Sequence, residues 1–228
     1  GKKSDLTKEE KTTTTKVAKK DEVKKSVEKT SKKTKKTAVY DESKIKTLSS
    51  LEHIRLRTGM YIGRLGDGTN QNDGIYILLK EVVDNAIDEF IMGNGTKIEV
   101  EVKENTVKVR DYGRGIPLGK LVECVSVINT GAKYNDDVFQ FSVGLNGVGT
   151  KAVNALSSHF RVVSVREGKL AEAIFERGKL ISERNGTVKP GIKDGTFVEF
   201  TPDTEVFGPY SFNQEFIERR MWNYAYLN

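Results

Sequence analysis

GIYILLKEVVDNAIDEFIM, residues 74–92, decides the fold class of this chain. Ile75, Leu78, Leu79, Val82, Val83, Ala86, Ile87, Phe90 and Ile91 recur at the three- and four-residue spacing of one helix face, and Asn94-Gly95 then ends the run. Downstream the period changes to two. KIEVEVK (97–103) and TVKVRD (106–111) alternate around Glu104-Asn105, the pattern of a hairpin of half-buried strands. A loop follows at Gly113-Arg114-Gly115-Ile116-Pro117, residues 118–129 are compatible with a helix, and 130–149 are polar and glycine-rich, a candidate mobile loop. A helix restarts over Thr150–Leu156. FRVVSVR (160–166), KLAEAIFE (169–176), KLISER (179–184) and GTFVEFT (195–201) read as four more strands, and an amphipathic helix runs from about Asn213 to Tyr226. A helix, then a meander, predicts an α+β two-layer sandwich: a mixed, mostly antiparallel sheet with helices on one face.

The charge is unevenly distributed. Of 228 residues, 38 are Lys or Arg and 32 are Asp or Glu, net +6. Residues 1–39 hold 14 Lys, no Arg and 6 acids, a local net of +8, so residues 40–228 carry net −2. That N-terminal stretch has too little apolar material to offset the entropy of ordering it, and it is expected to be a disordered tail. The remaining residues form the folded domain. No stretch approaches the ~20 apolar residues that cross a bilayer, and the N-terminus lacks a signal-peptide core. A soluble, cytoplasmic protein with no membrane association is the expectation. With Cys124 as the single cysteine and only His53 and His159, neither a disulfide framework nor a Cys/His zinc site can be assembled, so any metal would be held by oxygen.

Four elements carry potential chemistry. In the helix over 75–92, Glu81, Asp84, Asn85 and Asp88 fall at i, i+3, i+4 and i+7. A solvated face is the default reading. An acid one turn from an amide, with only Lys80 nearby, is also what a water-activating base and a hard-cation ligand require. Asp111 stands where a strand stops and glycines begin; an Asx turn is the ordinary reading, and a hydrogen-bond acceptor facing a flat ligand the functional one. Gly144-Leu145-Asn146-Gly147-Val148-Gly149-Thr150 opens a helix, an arrangement that can converge backbone N–H groups on phosphate. It is neither a Walker A loop nor a dinucleotide fingerprint. Lastly, Thr196 begins a late strand after Gly195, where its hydroxyl could reach the pocket of Asp111.

The order Glu81…Asn85, Asp111-x-Gly-x-Gly, Gly144-x-x-Gly-x-Gly and Gly195-Thr196 resembles the four nucleotide-binding motifs of the GHKL (Bergerat) ATPase superfamily. YDESKIKTLSSLEHIRLRTGMYIG (40–63), EVVDNAIDE (81–89), RDYGRGIP (110–117) and GLNGVGTKAVNALS (144–157) are similar to the B subunits of bacterial type IIA topoisomerases. The short segment between Pro117 and NTGAKY, with GLNGVGTKAVNAL, is closer to the topoisomerase IV than to the gyrase type.

The resemblance implies ATP and Mg²⁺ as ligands. Glu81 would be the general base, Asn85 the Mg²⁺ ligand, and Asp111 the acceptor of the adenine amine, with a water shared by Thr196. Val82, Val109, Ile116 and Val198 would line the base slot. Arg114 would cover the adenine, held by Glu89, beside Gly115; Gly144, Leu145, Asn146, Gly147, Val148, Gly149 and Thr150 would wrap the phosphates; Lys133 would lie on a lid and Arg166 at the rim. Tyr40 matches an arm that reaches the partner subunit's site. The implied partners are DNA, a topoisomerase A subunit, a second B subunit in an ATP-closed homodimer, and adenine-pocket inhibitors. In this family a lysine from a following domain contacts the γ-phosphate, and this chain stops at Asn228, where that domain would begin. It is therefore expected to bind nucleotide, hydrolyse it poorly and dimerise weakly. Two alternatives stand beside this: another GHKL clamp of the chaperone or mismatch-repair type, and a non-enzymatic nucleic-acid module acting through the Lys-rich tail.

Overall fold

The computed structural model describes residues 47–128 and 147–227. The expected disordered tail and the greater part of the expected mobile loop lie outside them, as do Tyr40, Lys133, Gly144, Leu145 and Asn146.

Six strands form one sheet in the order β1-β2-β6-β3-β4-β5: β1 (Ile98–Lys103), β2 (Thr106–Asp111), β3 (Ser157–Arg166), β4 (Lys169–Glu176), β5 (Lys179–Thr187) and β6 (Gly195–Pro202). All five pairings are antiparallel. Three of them are hairpins closed by two residues with positive φ: Glu104-Asn105, Glu167-Gly168 and Arg177-Gly178. Such turns match the right-handed twist of the flanking strands. The non-local pairings belong to β6, which inserts between β2 and β3 and aligns Val109 with Val198 on one side and Val162 with Val198 on the other.

One face of the sheet is apolar. Val107, Val109, Phe160, Val162, Ala171, Ala173, Phe175, Val198 and Phe200 are buried in a single core shared with the helices. That core is closed by α1 (Ser50–Leu56), α2 (Gly59–Ile62), α3 (Gly74–Ile91), α4 (Leu121–Ser126), α5 (Gly149–Ala155), α6 (Thr204–Phe207) and α7 (Gln214–Leu227). The opposite face carries alternating charges. Lys108 and His159 flank Glu199 at 3.9 and 3.3 Å, and Arg161 and Arg184 both pair with Glu172. No helix among the described residues is long and apolar enough to cross a membrane.

Sequence periodicity locates α3, α5, α7 and every strand to within a few residues. It does not find α1, α2 or α6. The first of these begins at a capping box, in which the Glu52 amide donates to Ser49 Oγ at 3.3 Å and the Ser49 amide to Glu52 Oε2 at 2.8 Å. Helix α3 begins differently. Asp73, fully buried at its N-cap, turns its carboxylate back onto the preceding loop, where it accepts from the Gly68 and Asn70 amides and pairs with Arg64 at 2.7 Å.

A second buried acid ties the helices to the sheet. Asp203 caps α6 and accepts from Arg55 at 2.8 Å, Arg177 at 3.0 Å and the Glu205 amide at 3.1 Å. Burial opposes its charge, but these donors outweigh burial and hold the carboxyl below the usual carboxylate range. A depressed folded value adds stability that is present above the unfolded carboxylate pKa and is lost as pH falls through the folded one. Asp203→Ala is therefore expected to lower unfolding free energy by about 3 kcal/mol in neutral denaturant titrations. The difference from wild type is expected to shrink in titrations carried out below about pH 4.

Candidate nucleotide site

The site forms where α3, the end of β2, the start of β6 and the start of α5 meet. At the β2 end, Asp111 is 8% exposed, and its Oδ1 accepts from the Gly113 amide at 2.9 Å and the Thr196 amide at 3.0 Å. Burial pushes its carboxyl up, the two amides oppose that shift, and the charge of Glu89 reinforces it. Among the described residues no donor reaches Oδ2, which leaves one oxygen for an amine-bearing ligand. The Thr196 backbone amide, a contact that sequence reasoning misses, holds Asp111 in place. This depends on glycine at 195, where φ is +132° and a Cβ would come within 2.3 Å of the Asp111 carbonyl oxygen.

The Gly113–Pro117 loop is fixed from two sides. Glu89, at the C-terminal end of α3, accepts from the Arg114 amide at 3.0 Å and from its Nε and NH2 at 3.2 and 2.9 Å, a forked pairing that sets the guanidinium plane. The expected Glu89–Arg114 contact is therefore present. From β3, Ser164 Oγ donates to the Ile116 carbonyl at 2.7 Å and Arg166 reaches the Gly115 carbonyl at 3.3 Å. Sequence reasoning misses Ser164. Its signal is a hydroxyl on the same strand face as Phe160 and Val162, where an apolar residue would otherwise fall. Val82, Val109 and Val198 are buried in the core, and the half-buried Ile116 of this loop packs against that core.

At the other end, α5 starts directly against α3. A Cβ on Gly149 would fall 1.9 Å from Glu81 Oε2 and 2.8 Å from its Cδ, so the carboxylate lies against the first residue of α5. Asn85 donates from Nδ2 to the Glu81 carbonyl and to Thr150 Oγ1, both at 2.8 Å, which fixes its amide plane. Glu81, Asn85, Gly149 and Thr150 are thus brought together, with Gly147 (φ +58°) and Val148 just before them. Among the described residues no cluster of three or more His, Cys, Asp or Glu could hold a metal ion. A hard cation here would draw on an amide oxygen such as that of Asn85 together with oxygens of a ligand, the donor chemistry Mg²⁺ accepts.

Comparison with known proteins gives the same picture. Residues 70–206 match the family described as histidine kinase-, DNA gyrase B-, and HSP90-like ATPase. The chain is 67% identical over 193 residues to the DNA topoisomerase 4 B subunit of Borreliella burgdorferi, covering 85% of this chain and 32% of that protein. It is 38% identical over 198 residues to the DNA gyrase B subunit of Campylobacter jejuni, covering 83% of this chain and 25% of that protein. It thus spans a third or less of these relatives' length. Among solved structures, the 43K ATPase domain of Thermus thermophilus gyrase B in complex with an aminocoumarin superposes with a TM-score of 0.65 at 34% identity, over 79% of this chain and 46% of that one. The match extends over more than half the sequence and embraces every element that builds the site, so the chain belongs to the histidine kinase-, DNA gyrase B- and HSP90-like ATPase family.

Proposed function

We propose that the chain is the ATP-binding and ATP-hydrolysing domain of a type IIA topoisomerase B subunit, of the topoisomerase IV type. The observation that carries this reading is the contact of Glu81, midway along α3, with the glycine-started α5, together with the half-satisfied Asp111 carboxylate at the end of β2. Adenine fits the Asp111 end. Its exocyclic amine donates to Oδ2, its faces lie between the core valines and the Gly113–Pro117 loop, and Arg114 closes over it.

The phosphates run toward α5, where backbone N–H groups from Gly147 to Thr150 and the positive end of the helix attract anionic oxygens. The lid residues Gly144, Leu145, Asn146 and Lys133 complete this wrap in the reading. Glu81 accepts a proton from the attacking water and orients it in line with the phosphate. Asn85 Oδ1 would help to hold Mg²⁺, whose chemistry there would be neutralisation of phosphate charge. In the whole protein, ATP closes a B-subunit dimer, to which Tyr40 contributes across the interface. That closure gates passage of DNA through a break made with the A subunit. The 67% identity to a topoisomerase IV B subunit, against 38% to a gyrase B subunit, favours the first type. Cytoplasmic residence follows from a DNA substrate in a bacterial cell.

Two expectations follow. In calorimetric titrations with a non-hydrolysable ATP analogue and Mg²⁺, wild type binds and Asp111→Asn binds roughly tenfold or more weakly, the scale of one hydrogen bond to a charged group. Glu81→Ala keeps affinity within a few-fold but loses on the order of 10²-fold or more in hydrolysis, the scale of general-base catalysis. Absence of binding by wild type, or equal affinity for Asp111→Asn, contradicts the assignment. Separately, Gly149→Ala places a methyl where the Glu81 carboxylate lies. It is expected to reproduce the hydrolysis defect of Glu81→Ala in the same assay, while Gly119→Ala, at an open position, leaves hydrolysis unchanged.

A further inference from the structure

Helices α3 and α7 lie side by side and run in the same direction. Near their starts, the rings of Tyr76 and Phe216 meet edge-on at 5.7 Å, and the Asn213 amide donates to Tyr76 Oη at 2.8 Å. Eight residues further along each helix, about 12 Å at the helical rise, the Tyr224 hydroxyl donates to Asp84 Oδ1. The other carboxylate oxygen, Oδ2, pairs with Lys80 Nζ. Asp84 is 1% exposed, so its charge depends on these two donors.

This cluster brackets Glu81. Lys80 precedes it in the chain and Asp84 lies one helical turn beyond it, while Gly149 closes the opposite side. Neighbours in a helix do not face each other, and the Lys80 charge is committed to Asp84 one turn further on. Burial raises the Tyr224 hydroxyl well above the usual phenol range, the bond to Asp84 and its charge add to this, and the charge of Arg220 opposes it.

We propose that Tyr224 is a positioning residue for hydrolysis: by holding Asp84 together with Lys80, it locks the turn of α3 that presents Glu81 and couples that turn to α7. The inference rests on the reading of Glu81 as the base. It assigns to α7 a role in the chemistry.

The test compares wild type, Tyr224→Phe and Lys80→Met by calorimetry with the ATP analogue and Mg²⁺, by single-turnover ATP hydrolysis with protein in excess, and by fluorescence of Trp222. This is the sole tryptophan of the chain, and it stacks on Tyr226 two residues from Tyr224. Both variants are expected to keep analogue affinity within about twofold and to hydrolyse roughly tenfold more slowly, the scale of one hydrogen bond to a charged group. Nucleotide-induced change in Trp222 emission is expected in wild type and is lost in Tyr224→Phe. A Tyr224→Phe rate equal to wild type, or a parallel fall in affinity and rate, overturns the proposal. Where wild-type turnover is too slow to time, the emission decides, and an identical response in wild type and Tyr224→Phe overturns it. Wild type that binds no nucleotide overturns the assigned function itself, a result distinguishable from binding with an unaltered rate.

Discussion

A carboxylate buried at the end of a strand must find donors, and the need of Asp111 for them organises the structure around it. Its two partners come from distant parts of the chain: the Gly113 amide two residues on and the Thr196 amide eighty-five residues away. The second is available only because β6 pairs with β2, and β6 can start that close only because residue 195 has no side chain. The satisfaction that makes Asp111 tolerable in the core uses one oxygen alone, so in the proposed function stability and recognition would draw on one group.

The phosphate end follows a related logic with a different device. Here the carboxylate of Glu81 fills the gap left by the missing Cβ of Gly149. Asn85 is fixed by Thr150 and by the carbonyl of Glu81, so the amide and the acid are set by the same junction of α3 and α5. A rigid helix therefore carries both acids, Glu81 at its middle against α5 and Glu89 near its C-terminal end against the Gly113–Pro117 loop. Their separation is fixed by two turns of α-helix rather than by loops.

What could be read from the sequence was local. The 3.6-residue period of α3, the period-two strands and the paired residues of each hairpin turn announce themselves within short windows, so the α+β class and the strand boundaries were legible. The insertion of β6 between β2 and β3 was not, because no window contains both partners. The contact of the Thr196 amide was hidden for a related reason: a threonine advertises its hydroxyl, whereas its amide matters only once Asp111 is beside it. Likewise Asp84 looks like one more acid on a polar face, and Tyr224 like one more aromatic on an amphipathic helix. Their contact exists only because α3 and α7 run alongside one another. Ser164 shows the intermediate case, an anomaly visible in the strand pattern whose partner, the Ile116 carbonyl, was not.

The position of β6 also bears on the order in which the domain assembles. The three two-residue hairpins join β1 to β2 and β3 to β4 to β5 through contacts close in sequence, which form without long loop closure. The pairing of β6 between these two ribbons spans sequence separations approaching a hundred residues for β2, the slower kind of contact to close. That step joins the halves of the sheet and at the same moment delivers the Thr196 amide to Asp111. A pocket finished by the last strand does not exist in a half-assembled chain, so a ligand that fits it acts on the completed domain alone and draws the folding equilibrium toward it.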